Sequence, residues 1–253
     1  MSPLEAVLVT LAGVAAGTIN TVVGSGTLIT FPTLLAFGVP PVTANVSNTV
    51  GLVPGSVSAS IGYRRELAGQ RGRLLRLGSA SLLGGIVGAV LLLWLPSSAF
   101  DTIVPALILL GVVLVLVGPR IQRAVATRAE GRGGIPDHGV WWVWPAVAGA
   151  GVYGGYFGAA QGVLLMAILG IGVADSMQRH NATKNVLALL VNGVAALIFI
   201  AAADVDWVVA GLIALGAVVG GQIGATVGRR LPPTLLRVVI ALVGVAALVA
   251  FLV

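Results

Sequence analysis

The sequence predicts an all-α polytopic membrane protein with about eight transmembrane helices and two short broken or re-entrant helices, arranged as two inverted-topology repeats. Three observations lead to this fold class. Of the 253 residues, 58% are hydrophobic and only 9% are charged, whereas a soluble globular chain has roughly a quarter of its residues charged. Apolar runs of transmembrane length recur along the chain. Glycine, alanine and asparagine positions in the first half also recur in the second half in a fixed register.

Eight apolar runs are about long enough to cross a hydrocarbon core of roughly 30 Å. They cover residues 3–23, 45–63, 74–95, 103–117, 141–157, 181–202, 207–227 and 236–253. Two shorter runs, 28–37 and 163–171, are too short to cross alone, and each follows a glycine-rich break. No basic residue precedes the first run, so we expect no cleavable signal peptide. Because cysteine is absent, we expect neither disulfides nor thiolate ligands.

The register between the halves is held over about fifty residues. Gly24 recurs 134 positions later as Gly158, and Asn45 recurs at an offset of 136 as Asn181. The offset of 136 also relates Ala59, Gly84, Gly85, Gly88, Ala89, Leu95 and Pro96 to Ala195, Gly220, Gly221, Gly224, Ala225, Leu231 and Pro232. We therefore divide the chain into a first repeat (residues 1–117), a basic linker (118–139) and a second repeat (140–253). A duplicated half in so apolar a chain is typical of transporters.

Arginine is concentrated in three connections, at residues 64–76, 118–139 and 229–237, which the positive-inside bias places in the cytoplasm. The connections 96–101 and 203–206 contain no lysine or arginine and are expected outside. The two halves then enter the membrane in opposite orientations, with both termini outside. Each long first helix and its short follower must return to the starting side, either as a re-entrant hairpin or as two tilted crossings.

The net charge of +6 follows from these loops, and the aromatic residues that stack on nucleic-acid bases are missing from them. We therefore expect no nucleic-acid partner. His138 and His180 have no second ligand at a helical spacing, so neither a metal nor another cofactor is expected. Asp206 is expected to cap the helix that follows it.

The two glycine breaks are the first candidate for a ligand site. Residues 23–27 contain Gly24, Ser25 and Gly26, and residues 154–162 contain Gly158 and Gln161. Unpaired backbone groups are costly against lipid, so a break should be buried in protein or line a wet cavity. Helix N-termini that follow such breaks can hold an anion. Alternatively, the glycines are spacers that let helices pack closely.

Polar residues at the start of the following helix are the second candidate. The first half reads ANVSNT from residue 44, and the second reads HNATKN from residue 180, with Asn45 matching Asn181 and Asn48 matching Lys184. Lys184 is the only lysine of the chain, and an ammonium differs from a guanidinium in carrying a compact charge that can lose its proton. Alternatively, the two asparagines are N-caps and Lys184 snorkels to the cytoplasmic surface.

The candidate substrate-binding residues taken together are Asn20, Gly24, Ser25, Gly26, Asn45, Asn48, Thr49, Tyr153, Tyr156, Gly158, Gln161, Asn181, Lys184 and Asn185.

Several longer motifs resemble a known family. They read INT at 19–21, GSGTLITFP at 24–32, GVPP at 38–41, ANVSNT at 44–49 and GYRREL at 62–67, then YGGYFGA at 153–159, NATKN at 181–185 and VDW at 205–207. Together they resemble the sulfite exporter TauE/SafE family of membrane proteins. The resemblance implies a bacterial inner-membrane carrier for small sulfur-containing anions such as sulfite or sulfoacetate. The chain departs from the pattern at Ala160 and Gln161, where a further glycine is expected.

These observations predict a multi-pass secondary transporter of sulfite, sulfoacetate or related organosulfur anions that works by alternating access. An anion channel and a non-transport membrane assembly protein are the alternatives, and no enzymatic activity is expected. The expected partners are a small anionic substrate, the lipid bilayer and a coupling proton or other ion. The sequence leaves the transport direction and the oligomeric state open.

The topology can be tested by thiol labelling, since the chain has no native cysteine. Single cysteines introduced at Arg71, Arg128 and Arg230 should resist a membrane-impermeant thiol reagent added outside intact cells, because the positive-inside bias places all three in the cytoplasm. Cysteines introduced at Ser98 and Val253 should react. Labelling of residue 128 from outside would contradict the inverted-repeat topology.

Overall fold

The computed structural model describes residues 1–129, 139–227, 238, 240–243 and 245, with backbone alone at residues 101, 119 and 121–129. Within this part of the chain the regular elements are α-helices. They are α1 (Pro3–Val22), α2 (Thr27–Ala36), α3 (Pro41–Gly62), α4 (Arg71–Trp94), α5 (Ser97–Ala129), α6 (Val143–Tyr156), α7 (Gln161–Gly172), α8 (Met177–Ala202) and α9 (Trp207–Thr226).

Three helix starts are fixed by local capping. Ser2 and Glu5 form a capping box at α1, and the Ser176 hydroxyl accepts from Arg179 N at α8. The Asp206 carboxylate accepts from the first free N–H groups of α9, which confirms the expected cap. Side-chain acceptors satisfy N–H groups that have no partner within the helix.

Five helices are long and apolar enough to cross a membrane: α1, α4, residues 97–118 of α5, α8 and α9. These helices confirm an all-helical, multi-pass membrane protein. Helix α3 is a continuous 22-residue helix but is less apolar, and α6 has only 14 residues, a length of about 21 Å. The eighth predicted run, 236–253, lies largely outside the described residues, so the count of eight crossings stays a prediction.

The broken helix pairs are hairpins that return to their starting end. Val140 N, just before α6, donates to Gly172 O at the end of α7 over 3.0 Å, so this pair enters and leaves at one end. Helix α1 runs alongside α9 in the same direction, with Gly13 against Ile213 and Gly224 against Thr21. Helix α9 begins at the same end as α3, because Asp206 N, just before α9, donates to Ser47 near the start of α3. Helix α1 therefore also begins at that end. The chain returns there through α2 before α3 starts.

Helices from the two halves pack side by side in matching pairs. Helix α4 runs parallel to α6, with Gly84 against Ala148 and Gly88 against Val152, as α9 runs parallel to α1. A methyl group on Gly17 would lie 2.5 Å from Ala217 O, so these backbones approach too closely for any side chain between them. Small residues permit this close approach, as is common between membrane helices.

Helices α3 and α8 pack against each other and run antiparallel. Asn181 near the start of α8 donates to the Tyr63 hydroxyl just beyond the end of α3. At the opposite end, Asp206 N beyond α8 donates to Ser47 near the start of α3. The two helices that the repeat makes equivalent therefore point in opposite directions.

A largely buried ion pair between Arg73 and Asp175 connects the halves at the end that carries the arginine-rich connection 64–76. Arg73 and Arg179 both contact the Asp175 carboxylate, at 2.5 and 2.9 Å. Gln70 accepts from both Arg73 and Thr183, and Arg76 donates to Gly139 O. The connection 64–76 and the end of the linker therefore lie at the same end of the molecule, as the predicted topology requires.

The two arginines lower the pKa of the Asp175 carboxyl. Burial raises that pKa, but hydrogen bonds from Arg73, Arg179 and Ser176 N outweigh burial and hold it below its usual range. A lowered folded-state pKa stabilises the protein above the ordinary carboxyl pKa of about 4, and the stabilisation is lost as the pH falls through the lower folded value.

Replacing Asp175→Asn should lower the free energy of unfolding by about 1–3 kcal/mol at pH 7, because two arginines lose a charged acceptor. The measurement is thermal melting in detergent, with Asp204→Asn as the control, since Asp204 is exposed. The difference in Tm between wild type and Asp175→Asn should shrink as the pH is lowered toward 3. A constant difference over that range would contradict the role of the ionised carboxylate.

Candidate substrate site between the helix breaks

The two breaks touch each other at the centre of the protein. Gly162 N, in the first turn of α7, donates to Gly24 O over 3.0 Å. Gly24 has a φ of +90°, a backbone conformation that side-chain-bearing residues rarely adopt. A Cβ atom on either glycine would overlap the Cα atom of the other. The glycines are therefore required both by the turn and by the contact between the halves.

A cavity of about 30 Å³ lies beside this contact, between α1, α3, α8 and the second break. That volume holds about two water molecules, so a ligand of few heavy atoms fits it. Seven of the candidate residues line it: Asn20, Gly24, Thr49, Gly158, Gln161, Lys184 and Asn185.

Lys184 is completely buried in the cavity wall, so the snorkelling alternative is wrong. Its Nζ donates to Asn20 O over 2.9 Å and to Thr21 O over 3.1 Å. These carbonyls belong to the last turn of α1, where the break removes the N–H groups that would continue the helix. A cation is stabilised at this negative end of the helix dipole. Lys184 forms no ion pair with any carboxylate of the described residues.

Two side-chain amides add hydrogen-bond donors to the cavity wall beside Lys184. Gln161 and Asn185 both line the cavity, and within the described part of the chain neither Gln161 Nε2 nor Asn185 Nδ2 has a hydrogen-bond partner. A buried N–H group without a partner is unfavourable. One ammonium and two amides lining one small cavity make a surface suited to an anion, which accepts hydrogen bonds without donating any.

Asn45 and Asn181 lie outside the cavity and hold its walls together. Asn45 donates to Tyr156 O over 2.9 Å, and Asn181 donates to Thr21 O over 3.0 Å. Each asparagine therefore satisfies a last-turn carbonyl of the other half's broken helix. The N-cap alternative is wrong, since Pro40 and Ser176 occupy those positions.

The remaining candidates also lie off the cavity. Asn48 donates to Thr27 and accepts from Thr30, which fastens α2 to α3. Gly26 N donates to the Asn20 side chain over 2.7 Å, and this bond positions the cavity-lining Asn20. The others are Ser25, Tyr153 and Tyr156, which are buried or nearly so. The Tyr156 ring lies 6.0 Å from that of Phe100 in an aromatic cluster.

The cavity wall also contains polar residues that are not among the predicted ones, including Thr21, Thr27, Ser56 and Asn192. A signal for two of them was available, because Ser56 and Asn192 are related by the same offset of 136 as Asn45 and Asn181. Among the residues that the structure describes, no group of three His, Asp or Glu side chains could hold a metal ion.

Broken, re-entrant helices around a cavity with several polar side chains are typical of polytopic membrane transporters. The family model for the sulfite exporter TauE/SafE proteins matches residues 9–251, and the chain belongs to this family.

Three similar proteins are all named as probable membrane transporters. The probable membrane transporter protein YfcA of Escherichia coli is 26% identical, covering 96% of this chain and 88% of that protein. A probable membrane transporter protein of Haemophilus influenzae is 24% identical over 89% of this chain and 86% of its own length. The protein ORF9 of a Sinorhizobium species is 24% identical over 96% and 90%. No solved structure matches the chain.

The contact between the breaks can be tested with a matched pair of glycine substitutions. Gly24 and Gly38 both have positive φ, but only Gly24 is packed against backbone, while a Cβ atom on Gly38 meets open space. Gly38→Ala should therefore show only the strain of the left-handed backbone, about 1–2 kcal/mol. Gly24→Ala should in addition separate the breaks, with a larger fall in Tm and loss of monodispersity in detergent. Equal effects of the two substitutions would show that the contact is unimportant.

Proposed function

We propose that this protein is a secondary transporter of small sulfur-containing anions, such as sulfite, sulfoacetate or related organosulfur anions, working by alternating access. The observation that carries the proposal is Lys184, a cation that is fully buried beside the cavity and not neutralised by any described carboxylate. The protein acts as a transporter rather than as an enzyme, and it does so in the bacterial inner membrane.

Electrostatics makes an anion the natural ligand of Lys184. A charge inside the membrane is unfavourable unless it is paired, hydrogen-bonded or hydrated. Two carbonyls and the end of the α1 dipole stabilise the ammonium, but they carry no full negative charge. An anion in the cavity would supply that charge, and it would also give acceptors to the Gln161 and Asn185 amides.

The arrangement of the helices supports two inverted halves, residues 1–117 and 140–253, joined by the cytoplasmic linker 118–139. Helix α1 pairs with α9 as α6 pairs with α4, and the equivalent helices α3 and α8 run antiparallel. In transporters built from inverted repeats, the substrate site lies at the repeat interface, and rocking of one half against the other exposes it to each side in turn. Residues from both halves line the cavity, which supports a site of this kind.

The size of the cavity and the family description support the choice of substrate. A cavity of about 30 Å³ favours an anion of few heavy atoms, and the family is described as sulfite exporters. A coupling proton or other ion would supply the driving force, because the sequence has no nucleotide-binding loop.

The test is flux of labelled sulfite and sulfoacetate in proteoliposomes, with and without a proton gradient. Wild-type protein should show saturable flux and counterflow against unlabelled anion. Lys184→Gln should reduce this flux by at least about tenfold while the protein remains folded, since a charged hydrogen-bond donor is lost. Lys184→Arg should restore it only in part, because a guanidinium is larger and stays protonated. Arg65→Gln, which removes an exposed charge, is the control.

Each alternative has its own result. Conduction without counterflow would identify a channel, and absence of flux for every anion would favour an assembly protein. Wild-type flux and affinity in Lys184→Gln would remove Lys184 from the site.

A further inference from the structure

Ser56 on α3 and Asn192 on α8 are equivalent residues that line the same cavity. The offset of 136 relates them, and both lie in its wall. Both residues are half-buried. Their polar groups are therefore accessible to solvent or to a ligand in the cavity.

Their height in the membrane follows from the pairing of the two helices. Helices α3 and α8 run antiparallel, with Tyr63 joined to Asn181 at one end and Ser47 joined to Asp206 N at the other. Ser56 and Asn192 each lie near the middle of the segment between these contacts. A two-fold axis in the membrane plane exchanges the two sides of the membrane, so two equivalent residues have the same height only if both lie close to the axis. In inverted-repeat transporters this axis lies at the bilayer midplane. The pairing of the helices therefore puts Ser56 and Asn192 close to the midplane.

The Asn192 amide has no partner among the described residues, and the Ser56 hydroxyl can donate to a ligand in exchange for the carbonyl of its own helix that it now contacts. The Ser56 hydroxyl donates only back to Leu52 O of its own helix, over 3.0 Å. The Asn192 side chain forms no hydrogen bond with any residue that the structure describes. An amide in the middle of a membrane helix is unfavourable against lipid and meets water, another helix or a substrate pathway. Because Asn192 lines the cavity, its amide can meet water or a ligand there.

The pair is separate from the charged part of the site. Lys184, Ala188 and Asn192 follow one another at successive turns along one face of α8, and all three line the cavity. Asn192 is therefore about 12 Å along the helix from Lys184. The cavity wall thus has a cationic region at Lys184 and a neutral region at the midplane.

We propose that Ser56 and Asn192 are specificity-determining residues that donate hydrogen bonds to the transported oxyanion at the membrane midplane. This inference rests on the proposed function, of which it names a second subsite. Neutral donors replace part of the water shell of the anion without adding a full charge. Passage requires binding that is favourable enough for entry and weak enough for release, and a neutral step between the charged region and the far side of the cavity meets both requirements.

The test compares KM and maximal rate for sulfite flux in proteoliposomes. Asn192→Leu, which keeps the branching at Cγ and removes both hydrogen-bonding groups, should raise KM by roughly ten- to a hundredfold, the effect of losing a hydrogen bond to a charged group. Asn192→Ser should recover most of the affinity, because it retains a donor. Ser56→Ala should raise KM by a few-fold. Ser60→Ala removes a hydroxyl one turn along α3 that does not line the cavity and should leave KM unchanged.

The outcomes separate this inference from the proposal on which it rests. Absence of anion flux in the wild type would overturn the proposed function. Wild-type flux together with an unchanged KM in Asn192→Leu would overturn the subsite alone. A loss of rate in Asn192→Leu that Asn192→Ser does not recover, with equal Tm, would also overturn it, because hydrogen-bond donation would then not be the property that matters.

Discussion

A helix that stops inside a bilayer leaves backbone carbonyls that water cannot reach, and both halves of this protein contain such a helix. The rest of the site depends on how those carbonyls are satisfied. At the end of α1, Asn20 O and Thr21 O accept from Lys184, and Thr21 O also accepts from Asn181. At the end of α6, Tyr156 O accepts from Asn45. In both places the donor comes from the other half, so neither half completes its own broken helix.

This exchange of donors connects stability with function. The side chains that satisfy the carbonyls are on α3 and α8, which run antiparallel, and both helices line the cavity. The backbone contact of Gly24 with Gly162 adds a second connection at the same level. Movement of one half relative to the other would therefore alter the cavity and the satisfaction of the breaks together, which couples access to the site with the packing of the halves.

The two halves differ where a cation replaces an amide. Asn48 in the first half uses its side chain to fasten α2 to α3, whereas its counterpart Lys184 reaches the carbonyls of α1 and lines the cavity. A symmetric framework thus acquires one asymmetric charge. In the proposed transporter, this single cation would attract an anion without a second charge that would hold it too strongly.

The sequence by itself determined the properties that depend on local composition and spacing: apolar helices, the two breaks, the cap at Asp206 and seven of the residues that line the cavity. Only the tertiary structure showed that the broken helices are re-entrant hairpins, that Asn45 and Asn181 satisfy carbonyls rather than cap helices, and that Ser56 and Asn192 line the cavity. The reason is physical. Hydropathy and helix hydrogen bonding act over a few neighbouring residues, whereas the partner of a carbonyl at a helix break is distant in sequence and is decided by which helices pack together.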